Sequence, residues 1–260
     1  MGHPVALVTG AGRGIGAATV AALADQGWRV VALDRCSPDP AVPYPMATPA
    51  DLAGVVDALA MADGVEADVS DAAAMTDVVA AIDAEHGRLD AVVCAAGIVA
   101  GGGPAWEVDD AEWHAVIATD LTGVFNTIRA AVPAILRADQ GRVVAVASAA
   151  GSLGLRHMAP YAAAKHGVIG LIRSLAADLA GSGVTANAVS PGSTATPGLE
   201  ESARLYGLDS SQAFVQHQQP LGRLIESSEV AATIAWLCSP AASAITGATV
   251  PVDGGMTATP

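Results

Sequence analysis

The chain has 260 residues, of which 52% are hydrophobic and only 3% aromatic, and it carries a net charge of −14 at pH 7. This length allows one large domain or two small ones, with a core built mainly from aliphatic side chains. The 12 scattered Lys and Arg residues argue against binding to nucleic acid and to an anionic membrane surface, because both need clustered positive charge.

Membrane insertion and secretion are also disfavoured. No apolar stretch approaches the roughly 18 residues of a membrane-spanning helix, and the first apolar run meets a glycine-rich loop by residue 10, which leaves no room for a signal peptide. Cys36, Cys94 and Cys238 are too few and too far apart for a disulfide framework or a metal site. We therefore expect a cytoplasmic protein with buried, reduced thiols and no metal.

Short β-rich apolar runs alternate along the chain with Ala-rich segments of helical length. Nearly continuous apolar strands separated by helices indicate a parallel sheet covered on both faces, which right-handed crossovers make doubly wound. The sequence thus predicts one α/β domain of the Rossmann type over residues 1–260, with a mostly parallel seven-stranded sheet. The predicted strands are Val5–Thr9, Arg29–Leu33, Gly64–Ala67, Ala91–Cys94, Val143–Ala147, Val184–Val189 and Thr249–Val252, and the main helices are Gly14–Gln26, Asp71–His86, Asp110–Ala138 and Ala159–Ala180.

Two segments interrupt this alternation. Residues 36–49 are rich in proline, which predicts an ordered or semi-rigid loop and not a helix. Residues 198–221 are polar and rich in Gln, and they lie between the sixth strand and the last helix. A long connection at such a place is typical of a lid over a substrate.

The segment Thr9–Gly16, with the sequence TGAGRGIG, follows the first strand and opens the first helix. In this context Gly10 permits a tight turn, Gly14 leaves room for a pyrophosphate, and Gly16 allows close helix packing. The helix N-terminus then offers free N–H groups and a positive dipole end to phosphate. The pattern predicts a dinucleotide site, and a glycine turn without a ligand is the less favoured alternative.

Asp34 ends the second predicted strand, where a carboxylate can accept both ribose hydroxyls and repel a 2′-phosphate. This favours NAD over NADP, although Arg13 or Arg35 could reach a phosphate. Asp68 ends the third strand and is equally compatible with an adenine contact and with a cap of the helix that begins at Asp71.

Tyr161 and Lys165 lie one helical turn apart, and Ser148 ends the strand before them. A free tyrosine has a pKa near 10, and a nearby ammonium group favours the phenolate. Tyr161 could then take the proton of an alcohol while hydride leaves, and Ser148 could stabilise the substrate oxygen. Singly, these residues indicate no more than a surface pair and a strand-end serine. Together with the glycine loop they predict an oxidoreductase of alcohols and ketones.

These features resemble the short-chain dehydrogenase/reductase family over essentially the whole chain, with Asn187 and Val252–Gly255 as further landmarks. The resemblance implies a small alcohol or carbonyl substrate and a homotetramer built on the two long helices Asp110–Ala138 and Ala159–Ala180. It also implies that the residues binding the cofactor are Gly10, Arg13, Gly14, Ile15, Gly16, Asp34, Arg35, Asp68, Val69, Ala96, Gly97, Tyr161, Lys165, Pro191, Gly192, Thr194 and Thr196.

Two positions depart from the family pattern. Asp120, counted here with the catalytic residues, stands where the family has an asparagine, and an ionised carboxylate can only accept hydrogen bonds. Asp120 either keeps the role through its backbone carbonyl and a water, or pairs with Lys165 and weakens the effect of Lys165 on Tyr161. In the second case Asp120→Asn would raise turnover or shift the pH optimum. The second departure is Cys94-Ala-Ala-Gly97, where the family has two amides.

Three residues are candidates for the wall of a substrate pocket. His157 and Met158 directly precede the catalytic helix, and Trp106 follows a glycine-rich stretch after the fourth strand. We expect a further large side chain, Trp28, to lie at the surface.

The proline-rich loop 36–49 is similar to an insertion of the mycofactocin-coupled subgroup, and residues 204–209 and 236–240 resemble that subgroup too. In the subgroup the insertion covers the dinucleotide. The resemblance implies an alcohol dehydrogenase that retains its NAD and passes electrons to mycofactocin as an external acceptor.

Two alternatives remain open. One is an ordinary dehydrogenase that exchanges NAD. The other is a dinucleotide-binding regulatory protein with impaired catalysis, against which the presence of Ser148, Tyr161 and Lys165 argues. Dinucleotide that survives purification would distinguish the retaining enzyme from the exchanging one.

Overall fold

The computed structural model describes residues 2–42, 44–218 and 220–258, with side chains for all of these except 216–218. Pro43 of the predicted loop, Gln219 of the predicted lid, and the terminal residues Met1, Thr259 and Pro260 lie outside the described residues.

The described chain forms one α/β domain around a seven-stranded sheet in the order β3-β2-β1-β4-β5-β6-β7, and every paired neighbour is parallel. The predicted fold class is therefore confirmed, with a sheet that is parallel throughout. The strands are β1 Val5–Thr9, β2 Arg29–Asp34, β3 Ala62–Glu66, β4 Ala91–Cys94, β5 Arg142–Val146, β6 Thr185–Pro191 and β7 Thr249–Val252.

Helices cover both faces of the sheet. They are α1 Gly14–Asp25, α2 Pro49–Asp57, α3 Ala72–His86, α4 Asp110–Ile117, α5 Gly123–Ile135, α6 Ala159–Asp178, α7 Pro197–Leu205, α8 Ala213–Gln218 and α9 Ser227–Cys238. No helix in the described part of the chain is long and apolar enough to cross a membrane.

Strand side chains point alternately to two cores. Leu7 of β1 belongs to the core beneath α3, α5 and α6, whereas its neighbours Ala6 and Val8 belong to the core beneath α1 and α9. Because helices cover both faces, the inner strands β1, β4 and β5 are buried along their whole length and are apolar at nearly every position. The edge strand β3 differs, since it exposes Asp63, Gly64 and Glu66. Trp28 lies in the second core and is only 8% exposed, so its expected place at the surface is wrong.

The segment predicted as one helix over Asp110–Ala138 consists of α4, a π-helical turn at Ala118–Thr122, and α5. The apolar periodicity continues through this turn, which is why the sequence reads as a single helix. A π turn places one extra residue in the helix and is frequent at functional sites. Here it carries Asp120.

Helix α2 was not predicted. It begins at Pro49, and the hydroxyl of Thr48 accepts a hydrogen bond from the N–H of Asp51 while the Asp51 carboxylate accepts one from the N–H of Thr48. This reciprocal cap, with proline at the first helical position, explains how a proline-rich segment passes directly into a helix.

Candidate active site

A cavity of about 260 Å³ lies at the carboxyl edge of the sheet, where the chain order reverses between β1 and β4. Such a crevice is the usual ligand site of a doubly wound sheet. Met158 lines the cavity, whereas Trp106, which is 84% exposed, and His157 do not. Its lining also includes every residue predicted for catalysis or for the cofactor: Gly10, Arg13, Gly14, Ile15, Gly16, Asp34, Arg35, Asp68, Val69, Ala96, Gly97, Asp120, Ser148, Tyr161, Lys165, Pro191, Gly192, Thr194 and Thr196.

The glycine loop after β1 forms an open cradle at the N-terminus of α1. Gly10 and Gly14 have positive φ angles of 66° and 58°, which glycine adopts without strain. A Cβ on Gly16 would lie 2.0 Å from the carbonyl oxygen of Gly10, and one on Gly14 would lie 3.3 Å from Cγ2 of Thr196. Gly16 thus allows the loop to pack directly on the helix, whereas Gly14 keeps the space between the helix N-terminus and Thr196 open. The cradle therefore fits the pyrophosphate of a dinucleotide.

At the end of β2 the carboxylate of Asp34 accepts hydrogen bonds from the N–H groups of Gly12 at 2.9 Å and of Cys36 at 3.2 Å. A carboxylate has about four acceptor positions, so capacity remains for two ribose hydroxyls. Asp68 accepts a hydrogen bond from the N–H of Ser70. The N-terminus of α3 is capped by Asp71 and not by Asp68, which removes the helix-cap alternative for Asp68.

Both arginines near the ribose end bind other protein groups. Arg35 Nη1 lies 2.9 Å from Oδ2 of Asp39 and 3.5 Å from Oδ2 of Asp68. Arg13 donates a hydrogen bond to the carbonyl oxygen of Pro45 at 2.7 Å.

Residues 36–42 and 44–48, which we name the strap, lie between β2 and α2 and border the cavity. Tyr44 and Met46 of the strap line the cavity and pack on the small apolar cluster that includes Ile98 and Tyr161. The Tyr44 hydroxyl accepts a hydrogen bond from the N–H of Val99 at 2.8 Å. Burial of this phenol raises the pKa of Tyr44 to about 12. The strap is thus attached at the catalytic end as well as at the ribose end.

The segment 198–221 contains most of α7 and all of α8. The Tyr206 hydroxyl donates a hydrogen bond to the carbonyl oxygen of Arg156, and the Phe214 ring packs edge-on against Tyr206 with centroids 5.9 Å apart. Both rings line the cavity, together with Leu199. The sequence analysis did not predict these residues. Aromatic side chains in an otherwise polar segment indicate that one face of the segment is buried, and this signal could have identified Tyr206 and Phe214.

Tyr161 and Lys165 occupy the first two turns of α6, which packs against β6 and against the short turn 149–151 that follows β5. Lys165 is 4% exposed, and its Nζ donates to the carbonyl oxygen of Val146 at 3.2 Å and lies 5.4 Å from the centre of the Tyr161 ring. Ser148 follows β5, and its Oγ accepts a hydrogen bond from the N–H of Ala150. The cavity therefore combines a phenol, a buried ammonium group and a hydroxyl.

Asp120 is fully buried, and its carboxylate pairs with Lys165, with Oδ2 and Nζ 3.1 Å apart. Its Oδ1 accepts a hydrogen bond from the N–H of Ile98 at 2.8 Å. Burial raises the pKa of Asp120, and the Lys165 ammonium opposes this rise. Burial also disfavours the charged Lys165, but Asp120, Tyr161 and Cys94 together outweigh burial, so that the pKa of Lys165 is raised. Of the two roles considered for Asp120, the structure contains the ion pair with Lys165.

The residues that replace the two amides of the family pattern lie at the end of β4. Cys94 is 1% exposed, and burial raises the pKa of its thiol to about 12. The Thr9 hydroxyl accepts hydrogen bonds from the N–H groups of Ala95 and Ala96, so this turn is attached to β1 without an amide side chain. The other two cysteines, Cys36 and Cys238, are buried as expected.

Residues 10–257 match the family model described as enoyl-(acyl carrier protein) reductase, a short-chain dehydrogenase model. The chain belongs to the short-chain dehydrogenase/reductase family, and it is an oxidoreductase of that family. Cis-4-hydroxycyclohexanecarboxylate dehydrogenase of Sinomonas cyclohexanicum is 40% identical over 98% of this chain and 96% of its own length. An NAD-dependent oxidoreductase of Mycobacterium tuberculosis is 36% identical over 96% of this chain and 94% of its own length.

Solved structures of this family superpose over the whole chain. Carveol dehydrogenase from Mycobacterium avium in complex with NAD has a TM-score of 0.92 and 31% identity, and it covers 100% of this chain and 99% of its own. An actinorhodin polyketide ketoreductase variant with NADPH has a TM-score of 0.87 and 34% identity, covering 99% of each chain. Both nicotinamide dinucleotides therefore occur among structures similar to this short-chain dehydrogenase/reductase.

Replacing Asp120 by asparagine is expected to move the pH–rate profile of alcohol oxidation toward lower pH by about one unit. Without the carboxylate, the Lys165 ammonium beside the Tyr161 ring is no longer paired with an anion. The same change removes a group that raises the pKa of Lys165, so loss of the ammonium begins at lower pH. The profile of kcat against pH, recorded for both proteins after their thermal stability is compared, checks this, and coincident profiles would show that the ion pair does not influence Tyr161.

Proposed function

We propose that this protein is an NAD-dependent dehydrogenase that interconverts an uncharged alcohol and the corresponding ketone or aldehyde. The observation that carries the proposal is that one cavity holds the glycine cradle and Asp34 at one end and the Tyr161–Lys165 pair at the other. NAD-dependent relatives and the NAD complex of carveol dehydrogenase support it.

Each end of the cavity has a separate task. The glycine cradle would hold the pyrophosphate, and Pro191, Gly192, Thr194 and Thr196 after β6 would border the nicotinamide, which accepts hydride when NAD is bound. Tyr161 acts as the base that takes the hydroxyl proton of the alcohol, with its phenolate favoured by Lys165. Ser148 would donate a hydrogen bond to the substrate oxygen and stabilise the charge that develops there.

The charges at the ribose end favour NAD. The carboxylate of Asp34 retains acceptor positions for ribose hydroxyls, and it repels a 2′-phosphate. Arg13 and Arg35, the residues that could have reversed this preference, bind Pro45 and Asp39.

The substrate end of the cavity is apolar. Among the described residues that line the cavity, the cationic side chains are those of Arg13, Arg35 and Lys165, and each of them is engaged by a protein group. A substrate carboxylate would lose hydration there without gaining a cation, which is unfavourable. The substrate end is lined by Leu155, Met158, Leu199, Tyr206, Phe214 and Met256.

The strap supports the narrower proposal of an enzyme that retains its NAD and passes electrons to mycofactocin. It is attached at both ends of the cavity, through Asp39 at the ribose end and Tyr44 at the catalytic end. A dinucleotide beneath it could leave only after the strap opens. The exchanging dehydrogenase is the alternative, and the homotetramer and the cytoplasmic location stay predictions.

Replacing Tyr161 by phenylalanine is expected to lower kcat by about 10²–10⁴-fold while NADH binding changes little, because only the proton acceptor is lost. The matched control is Tyr206→Phe, which removes a second phenol hydroxyl from the same cavity wall but one that donates to the backbone of Arg156. The control should lose far less activity in a steady-state assay with NAD or an artificial electron acceptor. Equal losses in the two variants would contradict the role of Tyr161.

Tyr44→Phe is expected to speed dinucleotide release by about fivefold to tenfold, since it removes the one hydrogen bond that fastens the strap beside Val99. We expect close to one NAD or NADH per chain in dialysed protein, measured by denaturation, chromatography and mass, and a lower content in the variant. Wild-type protein that loses its dinucleotide on dialysis would support the exchanging dehydrogenase instead.

Substrate charge provides a further test. The value of kcat/KM for 4-methylcyclohexanol is expected to exceed that for 4-hydroxycyclohexanecarboxylate by about 100-fold, because the carboxylate would be desolvated without a partner. Both compounds carry a secondary alcohol on the same ring, so the comparison isolates the charge. Equal or better use of the carboxylate would indicate a cation at the substrate end and would overturn the assignment of an uncharged substrate.

A further inference from the structure

Arg35 is the positive charge closest in sequence to Asp34, and its side chain lines the ribose end of the cavity. Its guanidinium is folded back onto the protein. Nη1 lies 2.9 Å from Oδ2 of Asp39 and 3.5 Å from Oδ2 of Asp68, and Nε donates to the carbonyl oxygen of Ser37 at 3.3 Å. An arginine at this position would otherwise be well suited to bind a 2′-phosphate.

Asp39 is the closer of the two carboxylates, and it belongs to the strap. The side chains of Arg35 and Asp39 are only 21% and 16% exposed, so solvent and salt screen their interaction less than that of a surface pair. The Asp39 carboxylate is itself positioned by a hydrogen bond from the N–H of Ala41. Arg35 is therefore held by a carboxylate that the backbone of the strap keeps in position.

The charges around this end of the cavity sum to a negative value. Asp34, Asp39 and Asp68 contribute three carboxylates, and Arg35 contributes the single cation that contacts two of them. Nη2 of Arg35 is buried and has no hydrogen-bond partner among the described residues. The guanidinium thus keeps an unused donor beside the cavity, although its charge is neutralised by Asp39.

We propose that Asp39 determines the preference for NAD over NADP by holding Arg35 away from the position of a 2′-phosphate. This inference rests on the proposed dinucleotide-dependent function and adds a positioning residue to it. Asp34 acts on the ribose directly, whereas Asp39 acts through Arg35. Because Asp39 lies in the strap, the segment that borders the cavity also sets which dinucleotide enters it.

Asp39→Asn tests the proposal, because it removes the charge and keeps the shape of the side chain. Dissociation constants for NADH and NADPH are measured by fluorescence titration, and those for 5′-AMP and adenosine 2′,5′-bisphosphate by calorimetry, so that the readout is independent of turnover. The affinity for NADPH relative to NADH should rise by about tenfold, as a freed guanidinium gains a charge-assisted bond to phosphate. The bisphosphate should gain relative to 5′-AMP in the same direction.

The matched control is Asp63→Asn. Asp63 forms a single ion pair with Arg29 at the same distance of 2.9 Å, and it does not line the cavity. This control removes one negative charge from the protein without freeing Arg35, so the ratio of NADPH to NADH affinity should not change. An equal gain in the control would assign the effect to net charge and overturn the proposal.

Two further variants identify Arg35 as the residue that responds. The double variant Asp39→Asn with Arg35→Ala should lose the gain in NADPH affinity, and a gain that persists would overturn the proposal. Arg35→Ala alone should leave the relative NADPH affinity of the native chain unchanged, and a loss would show that Arg35 already contacts phosphate. This last variant can still overturn the proposal if Asp39→Asn fails to fold.

The failure of the proposed function would look different. In that case the native chain would bind neither NADH nor NADPH, whatever residue stands at position 39. Failure of the present inference alone would leave NADH binding intact and the preference unaltered in Asp39→Asn.

Discussion

The fold depends on one constraint, which is that the inner strands β1, β2, β4 and β5 of a parallel sheet with helices on both sides must bury both of their faces. This makes those strands apolar at nearly every position, so polar side chains are displaced to the ends of the strands and to the segments that follow them. Asp34 at the end of β2, Asp68 after β3 and Ser148 after β5 all follow this pattern. Because parallel strands end at the same edge, these side chains meet in one crevice.

Within that crevice, each cation of the described lining is bound by a group of the protein itself. Lys165 pairs with Asp120, Arg35 pairs with Asp39, and Arg13 binds the carbonyl oxygen of Pro45. Because no cation of this described lining is left without a protein partner, neither end of the cavity offers a free positive charge. This favours a dinucleotide without a 2′-phosphate at one end and an uncharged substrate at the other. The Asp120 departure fits the same property, since its carboxylate pairs with the Lys165 ammonium.

The strap links these effects. Its backbone and side chains supply the partners of both arginines, and its tyrosine reaches the backbone beyond β4. A loop that only connected β2 to α2 would need none of these contacts. Their presence means that the electrostatics of the ribose end and the closure of the cavity are properties of one segment, so that a substitution in the strap is expected to affect cofactor choice and cofactor release together.

Sequence patterns alone predict the fold class, all seven strands to within two residues at each end, and the catalytic and cofactor residues that line one cavity. These features depend on local patterns, such as apolar runs, glycines at a strand–helix junction and the Tyr161–Lys165 spacing, which act over a few residues. The end of the helix at Ile117, the π turn and the burial of Trp28 were not determined in this way, because they depend on what packs against them. Only the tertiary structure decided that Asp120 faces Lys165, that Arg35 turns to Asp39 and that Tyr44 reaches Val99, since each contact joins segments whose approach is set by the packed sheet and helices.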